Sequence, residues 1–124
     1  LVAILIYQLV YMSRACGSSA QDMCQHILPV SRRNNSLLDV TGVLVCTPQH
    51  FVQALEGPDA VVDLLFDKIV KDARHQDIRI IKQRQLPHRQ FGAWAMAHDD
   101  RTSNAMLSKA TDALLADTDA AALL

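Results

Sequence analysis

Two apolar runs separated by a polar break constrain this chain more than any other feature: Val40–Cys46 and Phe51–Glu56, with Thr47-Pro48-Gln49-His50 between them. Both runs have strand length and are rich in residues that favour strands, and the four-residue break containing a proline reads as a turn, so the pair is predicted to be a hairpin. Side chains alternate along a strand. Phe51, Gln53 and Leu55 therefore share one face, and Val52, Ala54 and Glu56 the other. Gln53 is the anomaly. An amide on the same face as Phe and Leu is expected to be buried, and leaving it unpaired would cost about 1–3 kcal/mol. A neighbouring side chain, a backbone group, water or a ligand carrying donors and acceptors must satisfy it.

The flanking segments supply the rest of a fold. Val2–Ser13 reads as a strand. Its start, Leu1–Val10, is apolar except for Gln8, is too short to span a bilayer, and lacks the basic flank and cleavage site of a signal peptide. No initiator Met is present, which fits a piece of a longer chain. Ser19 is the expected N-cap of a helix whose stripe is Ala20, Met23, Cys24, Ile27 and Leu28, with Asp22 facing the first-turn amides. Pro29 is expected to kink this helix or end its first part, and Arg32–Ser36 reads as a polar exit. Gly57-Pro58-Asp59 opens a second helix with the stripe Val61, Leu64, Leu65, Phe66 and Ile69. Ile78–Leu86 is a fourth strand, and a short one is expected around Phe91–Ala97.

This order predicts an α+β fold. It is a ferredoxin-like βαββαβ antiparallel sheet with an added fifth strand, two helices on one face and a C-terminal helical extension. Residues 1–99 form the expected domain, and residues 100–124 a tail with Met106, Leu107, Ala110, Leu114 and Leu115 at near-helical spacing.

Composition mostly excludes. The formal net charge of −1 gives no electrostatic case for nucleic acid or an anionic membrane as a partner. Cys16, Cys24 and Cys46 are odd in number and form no CxxC pair, which favours buried free thiols and a reducing, cytoplasmic compartment over a disulfide or zinc framework. The five histidines form no HxxxH or HxH pair, so no metal site is expected. No motif ties a cysteine to a histidine, and no GxGxxG or Walker loop occurs. What remains is Tyr11, Asn34, Asn35, Gln53, Trp94 and Met96, polar or aromatic residues set among apolar ones. In a ferredoxin-like sheet the first and third strands are central neighbours, so Tyr11 and Gln53 can sit side by side. The set can line a slot for a flat heterocycle with an imide-like edge. On composition and spacing alone, the simpler reading is that Tyr11 and Trp94 are ordinary core aromatics and the Asn pair a helix cap.

Six segments, in order, resemble a known family. They are Val10-Tyr11-Met12-Ser13-Arg14-Ala15, Ser31-Arg32-Arg33-Asn34-Asn35, Val40-Thr41-Gly42-Val43-Leu44, Phe51-Val52-Gln53-Ala54-Leu55-Glu56-Gly57, Asp72-Ala73-Arg74-His75 and Arg89-Gln90-Phe91-Gly92-Ala93-Trp94-Ala95-Met96. Together they look like a BLUF domain, a small flavin-binding blue-light sensor, from about residue 4 to residue 97.

The resemblance implies non-covalent FAD between the two helices. It implies that Tyr11 is the photoactive tyrosine and Gln53 the switching glutamine. Asn35 and Asn34 would lie against the flavin ring, Arg74 near the FAD phosphates with His75 beside it, and Trp94 and Met96 would relay the signal. The expected function is photoreception without catalytic turnover. Light-driven electron and proton transfer from the tyrosine rearranges the glutamine hydrogen bond and signals through the fifth strand and C-terminal helix. With no output domain after the sensor, homo-oligomerisation or a separate protein partner is the expected output, with the tail as its surface. The rivals are an acylphosphatase-like enzyme, which the Arg14-Ala15-Cys16-Gly17 loop fits poorly, and a flavin-free regulatory or oligomerisation module.

Overall fold

The computed structural model describes residues 4–124, so Leu1, Val2 and Ala3 of the expected apolar start and first strand lie outside the described residues. Ile6–Ala15 forms β1, Ala20–Leu38 α1, Thr41–Cys46 and His50–Gly57 the hairpin strands β2 and β3, and Asp59–Val70 α2. His75–Leu86 is β4, Ala97–His98 is β5, and Ala105–Leu115 is α3, followed by a 3-10 turn at Asp119–Leu123. The sheet order is β4-β1-β3-β2-β5. The first four strands pair antiparallel in the ferredoxin-like order. The added fifth strand runs parallel to β2, with Val43 opposite Ala97 and Leu44 opposite His98, which makes the sheet mixed.

Alternation divides the sheet into two apolar faces. Leu9, Tyr11, Leu44, Phe51 and Leu55 pack under α1 and α2. Val10, Val43, Val45, Val52 and Ala54 pack on the other side, against Leu107, Leu114 and Leu115 of α3. The C-terminal segment is therefore docked on the sheet and closes its second face. Gly42 is required where β2 meets β3, because a Cβ there would run into the carbonyl oxygen of Ala54. Among the described residues no helix is long and apolar enough to cross a membrane.

Several local expectations are corrected. Pro29 does not end α1, which runs unbroken to Leu38. Its ring is exposed, and the single lost N–H bond is outweighed by the buried stripe on the opposite side. Arg32–Ser36 is accordingly helix rather than exit. The helix stops at Asp39, which takes the left-handed conformation (φ 58°) and donates its N–H to the Asn35 carbonyl. In α2, Val62 is buried and Leu64, two residues on and on the other side of the helix, is 66% exposed. In α3, Met106 is 84% exposed and Thr111 is buried, its hydroxyl donating to the Leu107 carbonyl at 3.0 Å.

The fifth strand is shorter than Phe91–Ala97, because the N–H groups of Gln90 and Phe91 are taken by the Glu56 carboxylate rather than a strand ladder. The expectation of three free thiols is also corrected. Cys24 and Cys46 are joined as a disulfide with Cα atoms 6.6 Å apart, and Cys16 is free. Separated by 22 residues in sequence, the two meet because the buried stripe of α1 lies over the end of β2.

Candidate functional site

A cleft opens between α1 and α2 above the central strands, with about 670 Å³ of empty space including its mouth. Its walls are apolar: Ile27 and Val30 from α1, Leu65 and Ile69 from α2, Leu44, Phe51 and Leu55 from the sheet. The polar lining is concentrated in Tyr11, Asn34, Asn35 and Gln53, with Asp72, Arg74 and His75 at the end where α2 passes into β4.

Tyr11 and Gln53 are direct cross-strand partners of β1 and β3. The Tyr11 hydroxyl donates to Gln53 Oε1 at 2.5 Å, and both residues are buried. Gln53 Nε2 has the Met96 thioether at 3.5 Å, a weak acceptor that leaves the amide's donor capacity poorly used. Flat apolar walls, an under-used amide donor and a phenol on the floor suit a planar heterocycle with carbonyl and ring-nitrogen acceptors, which is the chemistry of a flavin.

Burial pushes the Tyr11 hydroxyl well above its ordinary pKa of 10, and the Asp72 charge adds to the shift. Tyr11 is therefore a neutral donor at ordinary pH. A raised folded-state pKa contributes stability that is complete below the unfolded value, near 10, and is lost as pH rises toward the folded value. Denaturation profiles should accordingly show the parent losing stability above about pH 10, with a shallower alkaline slope in Tyr11→Phe. Equal slopes would contradict the assignment.

Asn35 is 2% exposed, and its Nδ2 donates to the Ala95 carbonyl at 2.9 Å, so α1 holds the segment before β5. Asn34 is exposed at the cleft rim. Arg74 engages Asp72 through Nε and Nη2, at 2.9 and 2.5 Å. These bonds hold the Asp72 carboxyl at a pKa of about 2, against a smaller opposing effect of burial. His75 bridges β1 and α2: its ring nitrogens lie 2.6 Å from Ser13 Oγ and 2.6 Å from the Ile69 carbonyl. That carbonyl can only accept, so Nε2 carries a proton. The His75 ring also stands edge-on to Tyr11 and Phe51, each with centroids 6.2 Å away, as part of the wall.

Tyr11, Gln53 and Met96 thus form one chain of contacts. Trp94 does not join it: the indole packs half-buried against the α3 side of the sheet, while its carbonyl accepts from Gly42 N–H at 3.1 Å. Sequence reasoning missed three residues that hold this region. Arg32 Nε donates to the Met96 carbonyl at 2.9 Å. Arg89 donates to Thr41 Oγ1 and to the carbonyls of Glu56 and Asp39 at 2.8–3.0 Å. Glu56, fully buried, accepts from Gln8 Nε2 at 2.9 Å and from the N–H groups of Gln90 and Phe91 at 2.9 and 2.8 Å. A carboxylate on the buried face of a strand was the one available signal.

Residues 6–97 match the model of the BLUF family, described as sensors of blue-light using FAD. The blue light- and temperature-regulated antirepressor BluF of Escherichia coli (strain K12) is 32% identical over 88 residues, covering 71% of this chain and 22% of that protein. The dark-state structure of BlrB, a BLUF protein, is 29% identical with a TM-score of 0.77, covering 98% of this chain and 92% of that one. A bacterial light-regulated adenylyl cyclase is 34% identical with a TM-score of 0.74, covering 90% of this chain and 33% of that one. The chain thus spans about a fifth of the antirepressor's length and a third of the cyclase's.

Proposed function

Because this chain belongs to the BLUF family of flavin-binding blue-light sensors, we propose that Tyr11 and Gln53 are its photochemical switch and that FAD is its flavin. The observation that carries this reading is the 2.5 Å hydrogen bond from the Tyr11 hydroxyl to Gln53 Oε1 on the cleft floor. When bound and excited by blue light, a flavin supplies an acceptor for one electron and one proton. Tyr11 is the donor suited to it: its phenol is neutral, oxidisable, and strongly acidic once oxidised. Gln53, which accepts from the Tyr11 hydroxyl and lines the cleft, would link the phenol to a bound flavin and so could carry the proton. With Tyr11 donating to Oε1, the amide turns Nε2 toward Met96. Rotation or tautomerisation of Gln53 would change which amide group faces a bound flavin, with no covalent adduct.

Asn34 and Asn35 would hold the ring and Arg74 would supply a cation for the phosphates, with His75 bracing the wall behind Tyr11. Met96 feels the Gln53 amide directly and sits one residue before β5. Its backbone carbonyl is held by Arg32 of α1. Trp94, two residues before Met96, packs with the apolar cluster of the α3 face, so a relay would run from Gln53 through Met96 and along the backbone to Trp94 and α3. We take residues 1–99 as the sensor unit and 100–124 as the tail that reads it. Sensing without catalytic turnover, a cytoplasmic location, and output through self-association or a separate protein complete the reading. Light scattering in the dark and under blue light tests that output.

The absorption spectrum of the FAD-loaded protein tests the core of the proposal. Blue light should produce a small red shift that reverses in the dark, and Gln53→Ala should bind FAD yet show no shift. Protein that stays colourless after FAD reconstitution would instead favour a flavin-free module or an acylphosphatase-like enzyme.

A further inference from the structure

Among the described residues, a cluster of metal-ligating side chains lies outside the photochemical site. Cys24 on α1, Cys46 at the end of β2 and His98 on β5 offer two sulfurs and an imidazole nitrogen, all within 4.8 Å of one another. None of the three lines the flavin cleft. Cys24 belongs to the buried stripe of α1, and Cys46 shares with Leu44 the face of β2 beneath that helix. Ala97 packs into the opposite face, so alternation turns His98, the register partner of Leu44, back toward the cysteines. Both cysteines are buried and His98 is exposed, which leaves an ion a route in past the imidazole.

We propose that, once the Cys24–Cys46 disulfide is reduced, these three residues bind a thiolate-seeking transition-metal ion, with Zn²⁺ as the representative. Two thiolates and an imidazole make a Cys₂His donor set, and water can complete the tetrahedron. Zn–S bonds of about 2.3 Å and Zn–N bonds of about 2.0 Å place neighbouring donors roughly 3.3–3.8 Å apart. The donor atoms already fall within reach of that spacing. The cysteine Cα separation of 6.6 Å suits either a bond between the sulfurs or a metal between them. The two states exclude each other, because a disulfide sulfur is not a thiolate ligand.

The chemistry balances. A dithiol reductant breaks the S–S bond, giving two electrons and two protons to the cysteine sulfurs and itself becoming a disulfide. The two thiols then release their protons as Zn²⁺ binds, and neutral His98 contributes a ring-nitrogen lone pair. Metal occupancy would follow the thiol redox state and clamp α1, one wall of the cleft, to β2 and β5.

The full flavin-loaded chain, reduced with a phosphine and freed of excess reductant, is titrated with Zn²⁺ against a chromophoric chelator. One ion per chain should bind, with none bound by the oxidised protein. His98→Gln, at an exposed position, should keep the flavin spectrum while weakening binding roughly tenfold or more, since loss of even an outer-shell partner costs about 10–100-fold. Cys24→Ser and Cys46→Ser should each abolish it. Co²⁺ should give a thiolate charge-transfer band and visible bands to the red of the flavin absorption, both lost in the cysteine variants. Absence of 1:1 binding by the reduced chain, equal binding by the oxidised chain, or His98→Gln binding as tightly as the parent would overturn the proposal.

Discussion

Tyr11→Phe is expected to bind FAD with near-parental affinity and to show no reversible red shift under blue light. The ring should stay where it is, because its surroundings are mainly apolar: Phe66 lies 5.4 Å away between centroids, and His75 closes the other side. Only the hydroxyl is removed. With it go the oxidisable phenol and the donor to Gln53 Oε1. Phenylalanine cannot give an electron and then a proton, so the effect on the switch is total rather than graded. Difference spectra during and after illumination measure it directly. A Tyr11→Phe protein with a parental red shift would remove Tyr11 from the mechanism, whereas a colourless one would show that the hydroxyl is needed for binding instead.

Glu56→Ala should be strongly destabilising, and Glu56 does not itself line the cleft. The carboxylate is completely buried and receives three N–H groups, from Gln8, Gln90 and Phe91. Deleting it orphans two buried donors, on Gln8 and Phe91, and the part-buried Gln90 N–H; a buried donor costs about 1–3 kcal/mol when unpaired, so a loss of about 3 kcal/mol or more is expected. It also frees the segment leading to Trp94 and Met96, which Glu56 and Arg89 together pin to the sheet. Urea denaturation followed by far-ultraviolet dichroism gives the stability change, and a loss below about 1 kcal/mol would contradict this role. Glu56→Gln should fall between the two, because the amide keeps one acceptor oxygen but turns an N–H₂ toward a donor.

The elements most legible in the sequence were those with strong local patterns. The hairpin, the Ser19 cap and the order of strands and helices could all be read from periodicity and turn residues. The pairing of Tyr11 with Gln53 followed from strand order, and its register is the one observed. Pro29 and Arg32–Ser36 misled because local helix rules carry no information about the buried face opposite them. Leu64 and Met106 misled for a related reason. A 3.6-residue stripe names an apolar side without saying what covers it, and these two side chains are mostly exposed.

Family resemblance and strand alternation by themselves determined that Gln53 needed a partner, that Tyr11 was near it, and that a flavin was the ligand to expect. Only the tertiary structure decided which contacts exist. It set Met96 rather than Trp94 against the Gln53 amide and folded the tail over the second face of the sheet. It gave Glu56 its three donors and brought Cys24, Cys46 and His98 together. The physical reason is one of range. Alternation and helical period follow from the backbone geometry of neighbouring residues. Contacts between α1, β2 and β5 depend instead on how separately formed surfaces pack, which no local pattern encodes.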